Sequence, residues 1–423
     1  MLLESLSIRN LFGSFSYDID FANTLQPFLM TGPNGYGKTT VLSIIDNIAK
    51  RKLMYFYQLP FESIVFRFED EQVLSLWSKV TTDVSSNKDT DTTSEGDKEI
   101  LFEWSKNGNT FSTFKLNNGI IKKAARDTGY YSGKRYDFTD YTSDDFLAFI
   151  DENDRFYDLI ANKLGQKAFF MLLSNVSTTF IKAQRISFDS EKNVSSTESV
   201  VNRLRKQLRD DQFNYLNDAE QHDNTFIDRL LSTSTPYSKE EYERIAIEIK
   251  ETVGELKQFG LINSFKLPDF TENKSEILTA YINDVREKLG NYKITVEKLR
   301  LFSQLLENKK FVNKKVTYSP VYGLRAVSTI DGEFIDINKL SSGEQNEIIM
   351  LYNFIYNVSD NSILLIDEPE NSLHVAWQNC FITDLEEIAK TKNIQVIIAT
   401  HSPQIIGARW KDSYDLFENN TQQ

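Results

Sequence analysis

Two short runs of residues could do chemistry by their types and spacing. The first, Gly32-Pro33-Asn34-Gly35-Tyr36-Gly37-Lys38-Thr39-Thr40, fits the pattern G-x-x-x-x-G-K-[ST]. Glycines at these places let backbone N–H groups turn inward, and a helix starting at once adds partial positive charge, so the run can cradle a polyphosphate. The second, Ser362-Ile363-Leu364-Leu365-Ile366-Asp367-Glu368-Pro369, is an apolar strand that delivers two adjacent carboxylates at its end. Either run alone has a plain structural alternative, a glycine-rich turn or two acids finishing a strand. Together they form a phosphate cradle with carboxylates to hold a metal ion and activate water.

On this reading Asn34, Gly35, Gly37, Lys38, Thr39 and Thr40 hold a nucleoside triphosphate, with Lys38 reaching the β- and γ-phosphates. Thr39 and Asp367 are the expected Mg²⁺ residues, and Glu368 orients or deprotonates the attacking water.

The surrounding elements must place these groups. Phe28-Leu29-Met30 reads as a buried strand before the loop, and Val41, Ile44, Ile45 and Ile48 stripe one face of the helix after it. A second apolar strand, 394–399, follows a helical crossover rich in Ala376, Trp377, Phe381, Ile382 and Leu385, and ends in Thr400-His401-Ser402-Pro403. That βαβ arrangement sets His401 beside the acidic pair, where it could hydrogen-bond a γ-phosphate as a third catalytic group with Lys38 and Glu368. Leu340-Ser341-Ser342-Gly343-Glu344-Gln345 opens a helix striped by Ile348, Ile349, Tyr352 and Ile355. Ser341 with Glu344, or Ser342 with Gln345, makes a capping box, so a purely structural role is open for this stretch.

In order, the phosphate loop, the LSSGE stretch, ILLIDEP and the THSP ending resemble the ATP-binding-cassette ATPases of the SMC, RecF and OLD group, over roughly residues 1–60 and 335–405. The resemblance implies an α/β ATPase head with an inserted helical arm, using ATP and Mg²⁺. It implies a head-to-tail dimer, or a higher even oligomer, with ATP sandwiched so that Ser341 and Gly343 contact the γ-phosphate bound by the second subunit. Ser342 stands where transporters of this class carry glycine. By the same resemblance Gln184 couples Mg²⁺ to the arm, and Glu370-Asn371-Ser372-Leu373-His374 looks like the loop that crosses the dimer interface. Only 22 residues follow His401, so the carboxylate-rich nuclease domain of OLD enzymes is not expected. By analogy this points to the stand-alone ATPases of two-component antiviral defence systems such as Septu, acting as a switch for a separate effector, a nuclease. A RecF-like DNA-repair clamp and a non-hydrolysing, ATP-dependent scaffold stay open as alternatives.

Composition sets bounds. With 423 residues, 40% hydrophobic and 13% aromatic, the chain can bury a sizeable core. The single cysteine, Cys380, excludes a disulfide framework and a zinc hook, and fits a reducing, cytoplasmic setting. Neither a signal peptide nor an apolar membrane span is expected. The formal charge of −13 argues against a DNA-coating surface and leaves only local nucleic-acid contact. Lys50-Arg51-Lys52, Lys122-Lys123, the Arg203/Arg205/Lys206/Arg209 face, and Lys309-Lys310 with Lys314-Lys315 are expected to be solvated surface.

The expected organisation is an N-terminal lobe at 1–186, a helical insertion at 187–312 and a C-terminal lobe at 313–423. Strands are expected around 6–8, 15–21, 63–68, 100–104, 110–116, 316–318 and 324–329, with a hairpin turn at Asn107-Gly108. The polar run 81–98 reads as a flexible excursion. Helical stripes are expected at Val201/Leu204/Leu208, at Ile245/Ile249/Val253/Leu256 behind a Ser238/Glu241 capping box, and at Ile277/Tyr281/Val285/Leu289.

Overall fold

A computed structural model describes residues 1–21, 26–81, 97–121, 167–182, 196–232, 235–262, 264–309, 311–371, 373 and 375–421. It divides into two compact units, Met1–Asp189 with Val358–Gln423, and Ser190–Asn357. Residues 313–357, which sequence groups with the C-terminal lobe, lie in the second unit.

The first unit holds two sheets. One is a six-stranded antiparallel sheet made by β1 (Leu3–Leu11), β2 (Phe15–Asp20), β4 (Ser63–Phe68), β5 (Gln72–Thr81), β6 (Asp97–Lys106) and β7 (Asn109–Asn117), in the order β2-β1-β4-β5-β6-β7. Its strands alternate: Leu6 and Ile8, Ile64 and Phe66, and Leu74 and Leu76 are buried, with less buried residues between them, while a register shift between Leu3 and Ser5 lets Leu3 face inward as well. Phe68 stacks on Trp104 at 5.9 Å, and Phe169 on α3 (Lys167–Leu173) meets Phe102 edge-on at 5.8 Å.

The second sheet is parallel throughout, in the order β14-β3-β13-β12-β8. Its strands are β3 (Phe28–Thr31), β8 (Thr178–Ile181), β12 (Ile363–Asp367), β13 (Gln395–Ala399) and β14 (Tyr414–Asp415). Every residue of β12 and β13 is buried, as expected for strands covered on both faces. Helix α1 (Lys38–Ala49) buries Val41, Ile44, Ile45 and Ile48, the stripe its spacing predicts, and the short α2 (Leu53–Gln58) follows it. Helix α9 (Val375–Lys392) makes the crossover between β12 and β13. Because all five strands run the same way, the segments after β3, β12 and β13 emerge at one carboxyl edge.

The second unit is mainly helical, with α4 (Thr197–Ser232), α5 (Lys239–Gln258), α6 (Ser275–Gly290), α7 (Lys293–Asn308) and α8 (Ser342–Tyr352) beside a small sheet ordered β11-β10-β9. Those strands are β9 (Lys314–Ser319), β10 (Gly323–Ser328) and β11 (Phe334–Ile335). Ser238 and Glu241 cap α5 reciprocally, as the sequence pattern predicts.

Four expectations change. Strand β5 is absent from the sequence reading, and Thr81 pairs with Asp97 and Val80 with Lys98, so both ends of the polar run are ladder, while 82–96 lie outside the described residues. On α6 the buried face is Leu278/Ile282/Val285/Leu289, and Ile277 points to solvent. Helix α7 buries a stripe of its own, Val296, Leu299, Phe302 and Leu305, which the sequence reading does not single out. Lys309 is not solvated surface: its ammonium lies 2.8 Å from Glu347, and both side chains are buried. An ion pair there offsets the desolvation that either charge would meet alone. Lys122, Lys123 and Lys310 lie outside the described residues. Among the described residues no helix is long and apolar enough to cross a membrane.

Candidate functional site

The site is built at the carboxyl edge of the parallel sheet. Gly37 caps α1 from the left-handed region, φ 83°, which a residue with a Cβ adopts only under strain. No side chain caps this helix and no acid stands in its first turn, so its leading N–H groups stay available to an anion. Tyr36 anchors the loop: its carbonyl accepts from the Tyr17 hydroxyl at 2.8 Å, and its ring packs edge-on against Phe417 at 5.4 Å. Burial holds the Tyr17 hydroxyl well above its ordinary pKa, so it remains a donor.

Lys38 is buried, and its ammonium donates to the carbonyls of Gly32 at 2.7 Å and Pro33 at 3.2 Å. The charge is thus folded over the loop it belongs to. Asn34, Gly35 and Thr39 are exposed at the loop and helix start, with Thr40 half-buried. Thr39 Oγ1 donates to Asp367 Oδ2 at 2.8 Å, joining the two runs that the sequence separates by 328 residues.

Asp367 ends β12 and is 4% exposed. Among the described residues its Oδ1 has no hydrogen-bond partner although it is buried. Burial pushes this carboxyl above its ordinary pKa; the Thr39 hydrogen bond opposes the shift, and the neighbouring Glu368 charge adds to it. An orphaned, desolvated carboxylate oxygen beside a threonine hydroxyl is the donor set that suits a hard divalent cation such as Mg²⁺. The residues present therefore fit the metal.

Glu368 stands one residue beyond the strand in the left-handed region, φ 45°, with its N–H donating to Ala399 O at 2.8 Å. The main chain therefore twists as it leaves β12. One carboxylate oxygen accepts from Asn371 Nδ2 at 2.9 Å, and the other lies 3.8 Å from His401 Nδ1. The structure brings Lys38, Thr39, Asp367, Glu368 and His401 to the same sheet edge.

Glu370 has a place in the site that sequence reasoning misses. The resemblance assigns it to an intersubunit loop; in the structure it accepts from the Thr400 hydroxyl with both oxygens at 2.9 Å and from the His401 N–H at 2.9 Å. Its Oε1 also lies 3.2 Å from His401 Nδ1. A signal for this is present: β12 and β13 are adjacent and parallel, so an acid just after one meets the turn after the other. Ser372 and His374 lie outside the described residues, as does Gln184.

Ser341 and Gly343 belong to the other compact unit. There the capping box forms with the first of the two possible pairs. Glu344 N donates to Ser341 Oγ at 3.3 Å, and Ser341 N donates to Glu344 Oε2 at 2.9 Å. Burial alone would raise the Glu344 carboxyl, but the Lys314 ammonium at 2.9 Å and the Ser341 donors hold it below its ordinary pKa. Gln345 donates to the carbonyls of Asn338 at 3.0 Å and Leu340 at 2.8 Å, fixing the chain as it enters α8.

A parallel sheet whose carboxyl edge gathers a phosphate loop and an acidic pair defines a nucleotide-binding α/β protein. The family described as the AAA ATPase domain matches residues 1–406, and the chain belongs to that family. It is an ATP-binding ATPase. A stretch of 68 residues is 32% identical to protein ea59 of Escherichia phage lambda, covering 16% of this chain and 13% of that relative's length. Among solved structures, the chain is similar to the Smc head domain with an extended coiled coil bound to the C-terminal domain of ScpA from Pyrococcus furiosus. That likeness has 14% identity and a TM-score of 0.36, covering 96% of this chain and 90% of that one. It is also similar to the SMC head domain from Thermotoga maritima, at 12% identity and a TM-score of 0.34, covering 98% and 92%.

Proposed function

We propose that this chain hydrolyses ATP at the carboxyl edge of the parallel sheet, and that the cycle switches a separate effector protein. The observation that carries the site is the Thr39–Asp367 hydrogen bond with the second Asp367 oxygen left unpartnered among the described residues. Thr39 and Asp367 would hold Mg²⁺, a duty the family resemblance gives Gln184 as well, and a bound ion would supply neutralisation of phosphate charge.

The chain's own residues do the rest. Lys38 exchanges its two loop carbonyls for phosphate oxygens, and the leading N–H groups of α1, with Asn34, Gly35, Gly37 and Thr40, hold the remaining charge. Glu368 accepts a proton from the water that attacks the γ-phosphorus as the bond to the bridging oxygen breaks and ADP leaves. Asn371 steadies one oxygen of that carboxylate, and His401, seated by Glu370, hydrogen-bonds the γ-phosphate.

Ser341 and Gly343 act on the nucleotide of a second copy in a head-to-tail pair, and the helical unit passes the state to the effector. The effector proposed, by analogy with stand-alone ATPases of two-component systems, is a nuclease in prokaryotic antiviral defence, and the net charge of −13 weighs against a clamp that closes directly on DNA. The test is to isolate tagged Glu368→Gln protein from its host with Mg-ATP and with no nucleotide. A nuclease retained only with Mg-ATP supports the reading. DNA retained by the ATPase alone overturns it in favour of the clamp.

A further inference from the structure

A polar residue interrupts the apolar face of α9. Phe381, Ile382 and Leu385 are buried on one side of that helix, and helical spacing puts Gln378 on the same side, where it is 6% exposed. A buried amide is costly unless it is hydrogen-bonded, and this one is bonded at both ends. Gln378 Nε2 donates to the Leu373 carbonyl at 3.3 Å, and its Oε1 accepts from the Ser402 hydroxyl at 2.9 Å. The orientation is fixed: turned over, the amide would set its own oxygen against the Leu373 carbonyl oxygen, which can only accept. Ser402 Oγ therefore gives its proton to Gln378 and keeps a lone pair for the Ile405 N–H, as N-cap of the short helix Pro403–Ile406.

These two bonds tie together the segments that leave β12 and β13. Leu373 follows the acidic pair after β12, and Ser402 lies in the turn after β13. The same turn is held a second time, on the other side of His401. Ser402 N donates to Thr400 Oγ1 at 3.0 Å, and the Thr400 hydroxyl donates to Glu370. His401 thus stands between two anchored neighbours, Thr400 on Glu370 and Ser402 on Gln378. Both neighbours are buried, whereas His401 itself is exposed. Their hydrogen bonds decide where the imidazole can reach, and Gln378, buried behind the turn, acts only through them.

We propose that Gln378 is a positioning residue for ATP hydrolysis, acting through Ser402 to hold His401 within reach of the γ-phosphate. This rests on the role given to His401 above, and on neither the effector nor the second copy. Glu370 fixes one side of the turn and Gln378 the other. Loss of the amide frees the imidazole to shift, while the phosphate loop between β3 and α1 keeps its hold on ATP. A displacement of about 1 Å is enough to cost on the order of 10²-fold in rate.

The experiment is steady-state ATP turnover by the full-length chain with Mg²⁺, in a cycle of Gln378→Met and His401→Ala. Methionine has the length of glutamine and suits an apolar face, but it makes neither hydrogen bond. Gln378→Met should lower kcat about 10- to 100-fold and leave KM for ATP within about threefold. In the His401→Ala background the same substitution should change kcat by less than about twofold, because the residue it positions is gone. A wild-type kcat in Gln378→Met overturns the proposal, as does a loss that repeats in full without His401, which would mark a merely structural glutamine. His401→Ala turning over at the wild-type rate overturns the role of His401 and the proposal with it. Should Gln378→Met not fold, Ser402 decides from the other end. Ser402→Thr, which keeps the hydroxyl, should then turn over about tenfold or more faster than Ser402→Ala, and equal rates in the two overturn the proposal.

Discussion

Thr39 Oγ1 donates to Asp367 Oδ2 at 2.8 Å, and this contact ties the start of α1 to the end of β12. It also occupies one of the two Asp367 oxygens and leaves the other buried without a partner among the described residues. That oxygen is a liability to the fold, which a bound cation would relieve.

A pH signature follows from that liability. Burial raises the Asp367 carboxyl above its ordinary value in the folded state, while the unfolded chain keeps the ordinary one. Stability from this group is complete below the ordinary carboxylate pKa, near 3.8, and is lost as pH rises through the raised folded value. Asp367→Asn should therefore match wild type near pH 4 and exceed it in thermal stability at neutral pH, measured without nucleotide and with chelator. The same variant should lose ATP turnover by about 10²-fold or more.

Glu370 should behave as a positioning residue. Glu370→Ala removes the acceptor for the Thr400 hydroxyl and the His401 N–H, so kcat should fall about 10- to 100-fold while KM for ATP stays within about threefold. Glu370→Gln keeps an acceptor oxygen and should recover most of the rate. Steady-state kinetics on both variants separates this from general loss of fold, which the glutamine would not rescue.

In the helical unit, Gly323 is held where a Cβ would lie 2.3 Å from the Val201 carbonyl oxygen, so the β9–β10 turn packs directly on the α4 backbone. Gly332 has nearly the same φ, 77° against 76°, but open space around it. Gly323→Ala should cost about 3 kcal/mol of stability, and Gly332→Ala about 1, because only the first adds a backbone clash to the left-handed strain. Thermal unfolding of the two variants checks the difference.

How much is legible in sequence follows from how local each determinant is. The phosphate loop and the acidic strand end declare themselves because glycine placement and an unbroken apolar run are local constraints, and β4 falls at Ser63–Phe68 as its alternation predicts. Strand β5 is hidden because its apolar residues, Val73, Leu74, Leu76, Trp77 and Val80, do not keep strict alternation and its end runs into a polar segment. On α6 both Ile277/Tyr281 and Leu278/Ile282 have helical spacing, and only packing decides which pair turns inward. Likewise the duty of Glu370 depends on β12 lying beside β13, and the burial of Lys309 depends on Glu347, a residue of a different helix.

The role of Glu368 as the base is tested by ATP binding and phosphate release in Glu368→Gln protein beside wild type, each with Mg²⁺. ATP should bind with near wild-type affinity, and turnover should fall by about 10²-fold or more. Unchanged turnover in Glu368→Gln would contradict that role, because the base that takes the water's proton would then lie elsewhere.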